Sequence, residues 1–176
     1  MKYKVLIAMG SDSDLPVMEA CASTLAAFGV TSRVTIASAH RSPDLVEELV
    51  IQAERDGAQV IVAGAGAAAH LAGVIASKTI LPVIGVPLEG SPLKGFDALL
   101  STVQMPPGVP VATMAVGKAG AKNAAIFAVQ ILARSDKALD RKLRQHKKDI
   151  ASEVRAKARA LASGAITYVK TGGKKS

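Results

Sequence analysis

Three short segments of the chain combine side chains that can bind an anionic substrate and move protons. Residues 10–14 read GSDSD, residues 38–43 read SAHRSP and residues 63–70 read AGAGAAAH. Each segment directly follows a run of apolar residues, which is typical of a buried strand. Ligands of an open parallel sheet bind beyond the carboxyl ends of its strands. The three segments are therefore predicted to form one site.

The first segment has the composition of a loop that binds phosphate and ribose. It precedes a predicted helix, whose free N–H groups favour an anion. The small residues Ser11 and Ser13 beside Gly10 let a phosphate approach the backbone, and Asp14 can accept hydrogen bonds from ribose hydroxyls. Serine and aspartate are also preferred helix caps, so capping alone is an alternative interpretation. No Gly-Lys-Ser/Thr sequence follows, which excludes a Walker loop.

The second segment places an imidazole beside a permanent cation. Histidine titrates near neutral pH, and the planar arginine side chain suits phosphate or carboxylate. The adjacent pair His40 and Arg41, with Ser38 before it, predicts general acid–base chemistry on an anionic substrate. A single histidine in a loop is more often without a catalytic role. It is the position of His40 among these segments that favours it as the catalytic residue.

The third segment is predicted to form a wall almost free of side chains. Two glycines, Gly64 and Gly66, and the three alanines after them let a planar ring or a small gas molecule lie against backbone amides. The Gly-x-Gly pattern lacks the third glycine of a dinucleotide site. His70, at the end of the segment, either lines this wall or satisfies polar groups inside the fold.

The elements that position these segments alternate between strand and helix. Apolar runs of strand length are found at residues 3–9, 33–37, 59–63, 82–87 and 111–116. Helical patterns are found at residues 15–28, 43–55, 67–77, 119–133 and, as a long C-terminal helix, 137–163. Most of the strand runs lack polar alternation, which predicts an α/β fold with a parallel sheet covered on both faces.

Length and charge predict one domain with a basic end. The 176 residues are 49% hydrophobic, enough for a single core, and we expect one domain over residues 1–165 and a basic, disordered tail over residues 166–176. Residues 1–133 hold 9 basic and 10 acidic side chains, whereas residues 134–176 hold 13 and 4. With five aromatic residues and no tryptophan, the chain is poorly suited to stacking on nucleic-acid bases. A solvated helix is the simpler account of the basic end.

Cysteine content and the N-terminus favour a cytoplasmic protein without a metal. The single cysteine, Cys21, excludes an internal disulfide and a cysteine-rich zinc site, and it falls on the apolar pattern of a helix. The first apolar run is too short for a secretory signal peptide. The uncharged residues 57–77 contain a Gly-Ala-Gly break and are interpreted as strand, turn and helix, so no membrane partner is expected.

The helix predicted at residues 119–133 points to a homo-oligomer. It contains one charge, Lys122, and is apolar on nearly every face, so it needs cover on two sides. If the sheet covers one side, the simplest cover for the other is a second subunit.

Taken with GVPLE at residues 85–89, STVQMP at 101–106 and GKAG at 117–120, the three segments resemble the PurE family of purine biosynthesis. The resemblance covers about residues 3–140. It implies a flavodoxin-like, three-layer αβα sandwich assembled as a homo-octamer, with no metal, nucleotide or organic cofactor.

The resemblance also implies a role for each site residue. His40 would carry the proton at C4 of the imidazole, and Ser11, Asp14 and Arg41 would bind the ribose phosphate. The remaining pocket residues would be Ser13, Ser38, Gly66 and His70.

Two family reactions are distinguished by the second segment. The pair His40-Arg41 is typical of members that move a carboxyl from N5 of carboxyaminoimidazole ribonucleotide to C4 through trapped CO2. The alternative, carboxylation of aminoimidazole ribonucleotide with free CO2, is typical of members with His-Lys. A non-enzymatic nucleotide or nucleic-acid binder is the alternative of a different class, motivated by the basic end.

Overall fold

Five parallel strands form one sheet, with the strand order β2-β1-β3-β4-β5. The computed structural model describes residues 2–165, and the tail predicted at residues 166–176 lies outside the described residues. The strands are β1 (Val5–Met9), β2 (Ser32–Ile36), β3 (Val60–Gly66), β4 (Val83–Leu88) and β5 (Ala112–Thr113). The helices are α1 (Leu15–Phe28), α2 (Pro43–Arg55), α3 (Leu71–Ala76), α4 (Phe96–Val103), α5 (Gly117–Leu132) and α6 (Lys137–Ala162).

Helices cover both faces of the sheet. On one face, α1 and α5 pack against outward side chains of β1, β3 and β4 such as Ile7, Val62 and Ile84. On the other face, α2, α3 and α4 pack against the alternate residues, including Leu6 and Ile61. Burial on both faces explains why β1, β3 and β4 are continuous apolar runs. The predicted three-layer fold with a flavodoxin-like sheet and a long C-terminal helix is confirmed.

Three elements differ from the sequence prediction. Strand β5 is only two residues long, and α4 was not predicted. Helix α3 begins at Leu71 rather than at residue 67, because Ala67 has a φ of 49° and this left-handed backbone cannot belong to a right-handed helix. His70 is consequently the residue before the helix and not a residue inside it.

Helix α5 is covered in part by its own chain. Helix α1 packs along α5, and α6 contacts it, so many apolar residues of α5 are buried within the same chain, whereas Ile126, Phe127 and Ile131 are only partly buried. The outer face of α5 carries exposed polar side chains, namely Lys118, Lys122, Asn123 and Gln130. The chain itself thus covers part of this helix, and cover by a second subunit stays a prediction. The exposed apolar side chains lie elsewhere, and one group surrounds α4: Leu93, Phe96, Leu100 and Val103.

None of the helices between residues 2 and 165 has both the length and the apolar character needed to cross a membrane.

Candidate active site

A cleft of about 330 Å³ lies at the carboxyl edge of the sheet, where the segments after β1, β2 and β3 meet. The segments are brought together because β1 lies between β2 and β3 in the strand order. Of the eight residues predicted for the site, seven line this cleft: Ser11, Ser13, Asp14, Ser38, His40, Arg41 and Gly66. The eighth, His70, contacts the site through His40.

The loop after β1 is held by its own side chains. The Ser11 hydroxyl accepts a hydrogen bond from the Ser13 amide, and Oδ2 of Asp14 accepts one from the Ser11 amide at 3.0 Å. These reciprocal bonds form a capping box around one 3-10 turn, Asp12–Asp14. The capping interpretation is thus correct for this turn, whereas Asp14 gives α1 no side-chain cap. The same residues line the cleft, so capping and ligand binding are compatible.

The two carboxyl groups of this loop differ in environment. Burial is the main cause that raises the pKa of Asp14, and it outweighs the hydrogen bonds from the amides of Ser11 and Gly10. Asp12 is exposed, and the hydrogen bond from the Ser11 hydroxyl is the main cause that lowers its pKa. A partly desolvated carboxylate at Asp14 gains from a ligand hydroxyl that donates to it.

Arg41 connects the loops after β1 and β2. Its Nη2 donates to the Gly10 carbonyl oxygen at 3.1 Å, and its amide donates to the Ser38 hydroxyl at 3.2 Å. Ser42 does not cap α2 through its side chain; its hydroxyl instead accepts from the Ser38 amide at 3.0 Å. These bonds hold the guanidinium at the edge of the cleft, where an anion can bind it.

His40 and His70 form a pair. Nε2 of His40 lies 2.8 Å from Nδ1 of His70, and the two rings meet edge to face with an angle of 78° between their planes. A hydrogen bond at this distance needs one nitrogen that carries a proton and one that does not. The two rings therefore share one proton at this contact. Of the two roles left open for His70, the structure favours a position beside the wall, against the catalytic candidate.

The wall after β3 is smaller than the sequence predicted. Gly66 borders the cleft, and a Cβ there would lie 3.3 Å from the Leu88 carbonyl oxygen. Gly64 is buried and serves packing, because a Cβ at this position would lie 2.9 Å from Cγ of Met18 in α1. Residues 65–68 form the part of the wall that faces the cleft. Ala67 turns the chain there in its left-handed conformation.

Two lining residues were missed by the sequence analysis. Gly90 follows β4 at the same edge of the sheet, and Leu71 begins α3. The rule that ligands bind beyond the strand ends also applies to β4 and would have indicated Gly90. No motif singles out Leu71.

The site contains neither a metal cluster nor a nucleophilic cysteine within residues 2–165. No group of three or more histidine, cysteine, aspartate or glutamate side chains in that range is arranged to hold a metal ion. Cys21 is buried in α1, and burial raises the pKa of its thiol to about 12. Cys21 is therefore a core residue, as predicted.

Comparison with known proteins places the chain in a family. The family model described as AIR carboxylase matches residues 4–153. The chain is 53% identical over 160 residues to the N5-carboxyaminoimidazole ribonucleotide mutase of Pyrococcus horikoshii, covering 91% of this chain and 89% of that protein. It is 50% identical over 151 residues to the Escherichia coli K12 protein of the same name, covering 86% and 89%.

Two further comparisons extend this likeness. The phosphoribosylaminoimidazole carboxylase of Saccharomyces cerevisiae is 50% identical over 161 residues, which cover 92% of this chain but 28% of that protein. The crystal structure of Treponema denticola PurE superposes with a TM-score of 0.82 at 27% identity, covering 89% of this chain and 97% of that one. The family match, the identities and the shared fold agree with one another, and the chain belongs to the AIR carboxylase, or PurE, family.

Proposed function

We propose that the protein is an N5-carboxyaminoimidazole ribonucleotide mutase of purine biosynthesis, converting that substrate to 4-carboxy-5-aminoimidazole ribonucleotide. The observation that carries this proposal is the contact between His40 and His70 at the edge of the cleft. The reaction moves a proton as well as a carboxyl group, and a histidine pair is a suitable carrier for it. Relatives of about 50% identity bear this activity in their names.

The substrate's phosphate is bound by Arg41 and by the small residues of the loop after β1. The guanidinium supplies a permanent charge, and the Ser11 and Ser13 hydroxyls supply short donors beside glycine. Asp14 accepts hydrogen bonds from the ribose hydroxyls, and such a bond offsets the cost of its burial. Ser38 completes this part of the pocket from the loop after β2.

His40 alone can donate and accept every proton that the reaction moves. The bond between N5 and the carboxyl carbon breaks, its electron pair stays on N5, and protonated His40 gives N5 a proton as CO2 forms. C4 of the imidazole then attacks the CO2 carbon. His40, now neutral, removes the proton from C4, which restores the aromatic ring and returns His40 to its starting state. No proton is gained or lost over the cycle, and His70 orients the ring of His40 through their shared hydrogen bond.

The wall at residues 65–68 retains the CO2 between these steps. Alanine and glycine leave no side chain large enough to fill the space, and the closely packed Gly66 and Gly90 bring backbone against backbone. A confined CO2 recombines with C4 faster than it escapes, because the two reactants are held together.

A second candidate is carboxylation of aminoimidazole ribonucleotide with free CO2. The description of the family model and the name of the yeast relative favour it. The decisive experiment compares product formation from N5-carboxyaminoimidazole ribonucleotide without bicarbonate against formation from aminoimidazole ribonucleotide with bicarbonate. Product from the first substrate in the absence of bicarbonate supports the mutase; product only with bicarbonate supports the carboxylase. Failure of both substrates, with a salt-sensitive DNA mobility shift, would favour the nucleic-acid binder instead.

We also propose that the protein is a cytoplasmic homo-oligomer, with an octamer implied by its family resemblance. The exposed apolar residues Phe96, Leu100 and Val103 share one face of α4 and support an intersubunit contact there. A single buried cysteine suits a reducing compartment.

A further inference from the structure

Asp12 lies between the two serines that are proposed to bind the substrate's phosphate. Its side chain is exposed, and Ser11 and Ser13 line the cleft on either side of it in the chain. Oδ1 of Asp12 accepts a hydrogen bond from the Ser11 hydroxyl at 3.0 Å and another from the Ser13 amide at 3.1 Å. The Asp12 carboxylate therefore holds donors that border the cleft.

The Ser11 hydroxyl can serve only one acceptor. The Ser13 hydroxyl donates to Oγ of Ser11 at 3.0 Å, so the single proton of Ser11 is directed to Asp12. A hydroxyl carries one proton, and it cannot donate to a carboxylate and to a phosphate at the same time. A phosphate that binds the Ser11 hydroxyl must therefore displace the Asp12 carboxylate. Both groups are anionic acceptors, so they compete for the same donor.

The charges around the cleft extend this competition. Among the described residues that line the cleft, Arg41 is the only one with a permanent positive charge, and Asp14 adds a carboxylate. The hydrogen bond from the Ser11 hydroxyl is the main cause that lowers the pKa of Asp12, and attraction by Arg41 acts in the same direction. Arg41 thus attracts the Asp12 carboxylate as well as a phosphate.

A purely structural role for Asp12 makes the opposite prediction. Aspartate often accepts hydrogen bonds from the backbone of its own turn and stabilises that turn. If this were the only contribution of Asp12, loss of its charge would weaken the turn and the phosphate site with it. If Asp12 competes with phosphate, loss of its charge should strengthen phosphate binding. The sign of the change distinguishes the two roles.

We propose that Asp12 is a specificity-determining residue, whose carboxylate competes with phosphate for the donors of the loop after β1 and so weakens the binding of every phosphate compound. A nucleotide has a ribose and a ring whose contacts offset this competition, whereas inorganic phosphate has none. Asp12 thereby keeps inorganic phosphate out of the cleft while the substrate still binds. The inference rests on the proposed function, which assigns the substrate's phosphate to this loop.

Titration of Asp12→Asn with inorganic phosphate tests the proposal. The amide keeps the size of the side chain and one oxygen acceptor but removes the charge. The dissociation constant for phosphate, measured by calorimetry at pH 7, should fall by about 5-fold. The Michaelis constant for N5-carboxyaminoimidazole ribonucleotide should fall by a similar factor, while the thermal midpoint barely moves.

Glu19→Gln is the matched control. It removes the same charge from an exposed side chain of α1 that takes part in no ion pair within residues 2–165. Both constants should stay unchanged in this variant. An equal gain in phosphate affinity with Glu19→Gln would overturn the proposal, because it would indicate a general effect of net charge. An unchanged or higher dissociation constant with Asp12→Asn would overturn it as well, whatever the thermal midpoint.

Ser11→Ala provides a second measurement, because it removes the hydroxyl for which the two anions compete. In this background Asp12→Asn should give a much smaller gain in phosphate affinity than in the unchanged protein. An equal gain in both backgrounds would contradict the shared donor.

The phosphate titration does not require turnover. A protein that converts neither substrate but binds phosphate more tightly as Asp12→Asn would contradict the proposed activity and support the role of Asp12. An active mutase whose phosphate affinity is unaffected by Asp12→Asn would do the reverse. Phosphate binding by neither the unchanged protein nor the variant would also overturn the role of Asp12.

Discussion

Nε2 of His40 lies 2.8 Å from Nδ1 of His70, although the two residues are 30 positions apart and follow different strands. The contact brings together two of the three histidines of the chain at the edge of a cleft that holds hydroxyl, carboxylate and guanidinium groups. Of the two, only His40 lines the cleft, so we expect them to have different tasks.

Replacement of the two histidines should therefore have unequal effects. His40→Asn keeps a hydrogen-bonding group but cannot exchange protons, so turnover should fall at least ~10²-fold while ligand binding persists. His70→Asn should cost clearly less, since it removes only the partner of His40. The measurement is kcat with N5-carboxyaminoimidazole ribonucleotide, together with ligand binding by calorimetry. The reverse order of effects would transfer the proton role to His70.

Arg41→Lys should weaken substrate binding far more than it changes stability. Lysine keeps the charge, but it cannot donate to the Gly10 carbonyl oxygen and at the same time bind a phosphate through two parallel hydrogen bonds. The Michaelis constant should rise on the order of 10-fold to 100-fold, while the thermal midpoint barely moves. Arg55→Lys, an exposed change outside the cleft, serves as the control. A large fall in midpoint with an unchanged Michaelis constant would assign Arg41 a structural role.

Asp14→Asn should separate binding from stability. The folded-state pKa of Asp14 is raised, mainly by burial, so its ionised form is disfavoured in the folded protein. The stability that Asp14 contributes is fully present below its unfolded pKa and is lost as pH rises through the folded value. The variant should gain stability relative to the unchanged protein at pH 7, and the gain should disappear in acid. Thermal unfolding of both proteins from pH 3 to pH 7 measures this difference.

Loss of ligand hydrogen bonds should accompany that gain, so Asp14→Asn should also weaken substrate binding. The stability of the variant minus that of the unchanged protein should be larger at pH 7 than at low pH. The opposite order would contradict the assigned direction of the pKa shift.

Ala67→Gly should relieve backbone strain beside the cleft. Ala67 has a φ of 49°, a region that glycine occupies without a steric penalty. The relief exceeds the added entropy of the unfolded chain, so the free energy of unfolding should rise by roughly 0.5–1 kcal/mol. Ala68→Gly is the matched control, because Ala68 has no positive φ and should lose stability by a similar amount. Denaturant unfolding of both variants would show opposite signs if the strain is real.

Light scattering should give a mass several times the 18.0 kDa of one chain. Leu100→Asp on the exposed face of α4 should reduce this mass, because a buried unpaired charge opposes the contact. Asn123→Asp adds the same charge to the outer face of α5, which is covered by no part of its own chain, and should leave the mass unchanged. A mass loss with Asn123→Asp alone would place the interface on α5.

The sequence by itself determined the alternation of strands and helices and the segments that carry the chemistry. Continuous apolar runs identified β1, β3 and β4, because strands buried on both faces need no polar alternation. Gly29 ends α1 with a φ of 77°. A glycine that ends a helix can be recognised from the few residues around it. Seven of the eight predicted site residues line the cleft. They could be predicted because each lies at the carboxyl end of a strand, and the strands themselves are recognised from local sequence.

The tertiary structure alone decided which elements touch. The contact of His40 with His70 depends on β1 lying between β2 and β3, and strand order is set by packing of the whole sheet rather than by any local pattern. The same holds for α5: its apolar composition is evident in the sequence, but only the three-dimensional packing shows that α1 and α6 of the same chain help to cover it. The left-handed turn at Ala67 was equally hidden, because alanine favours a helix locally and the surrounding fold overrides that preference.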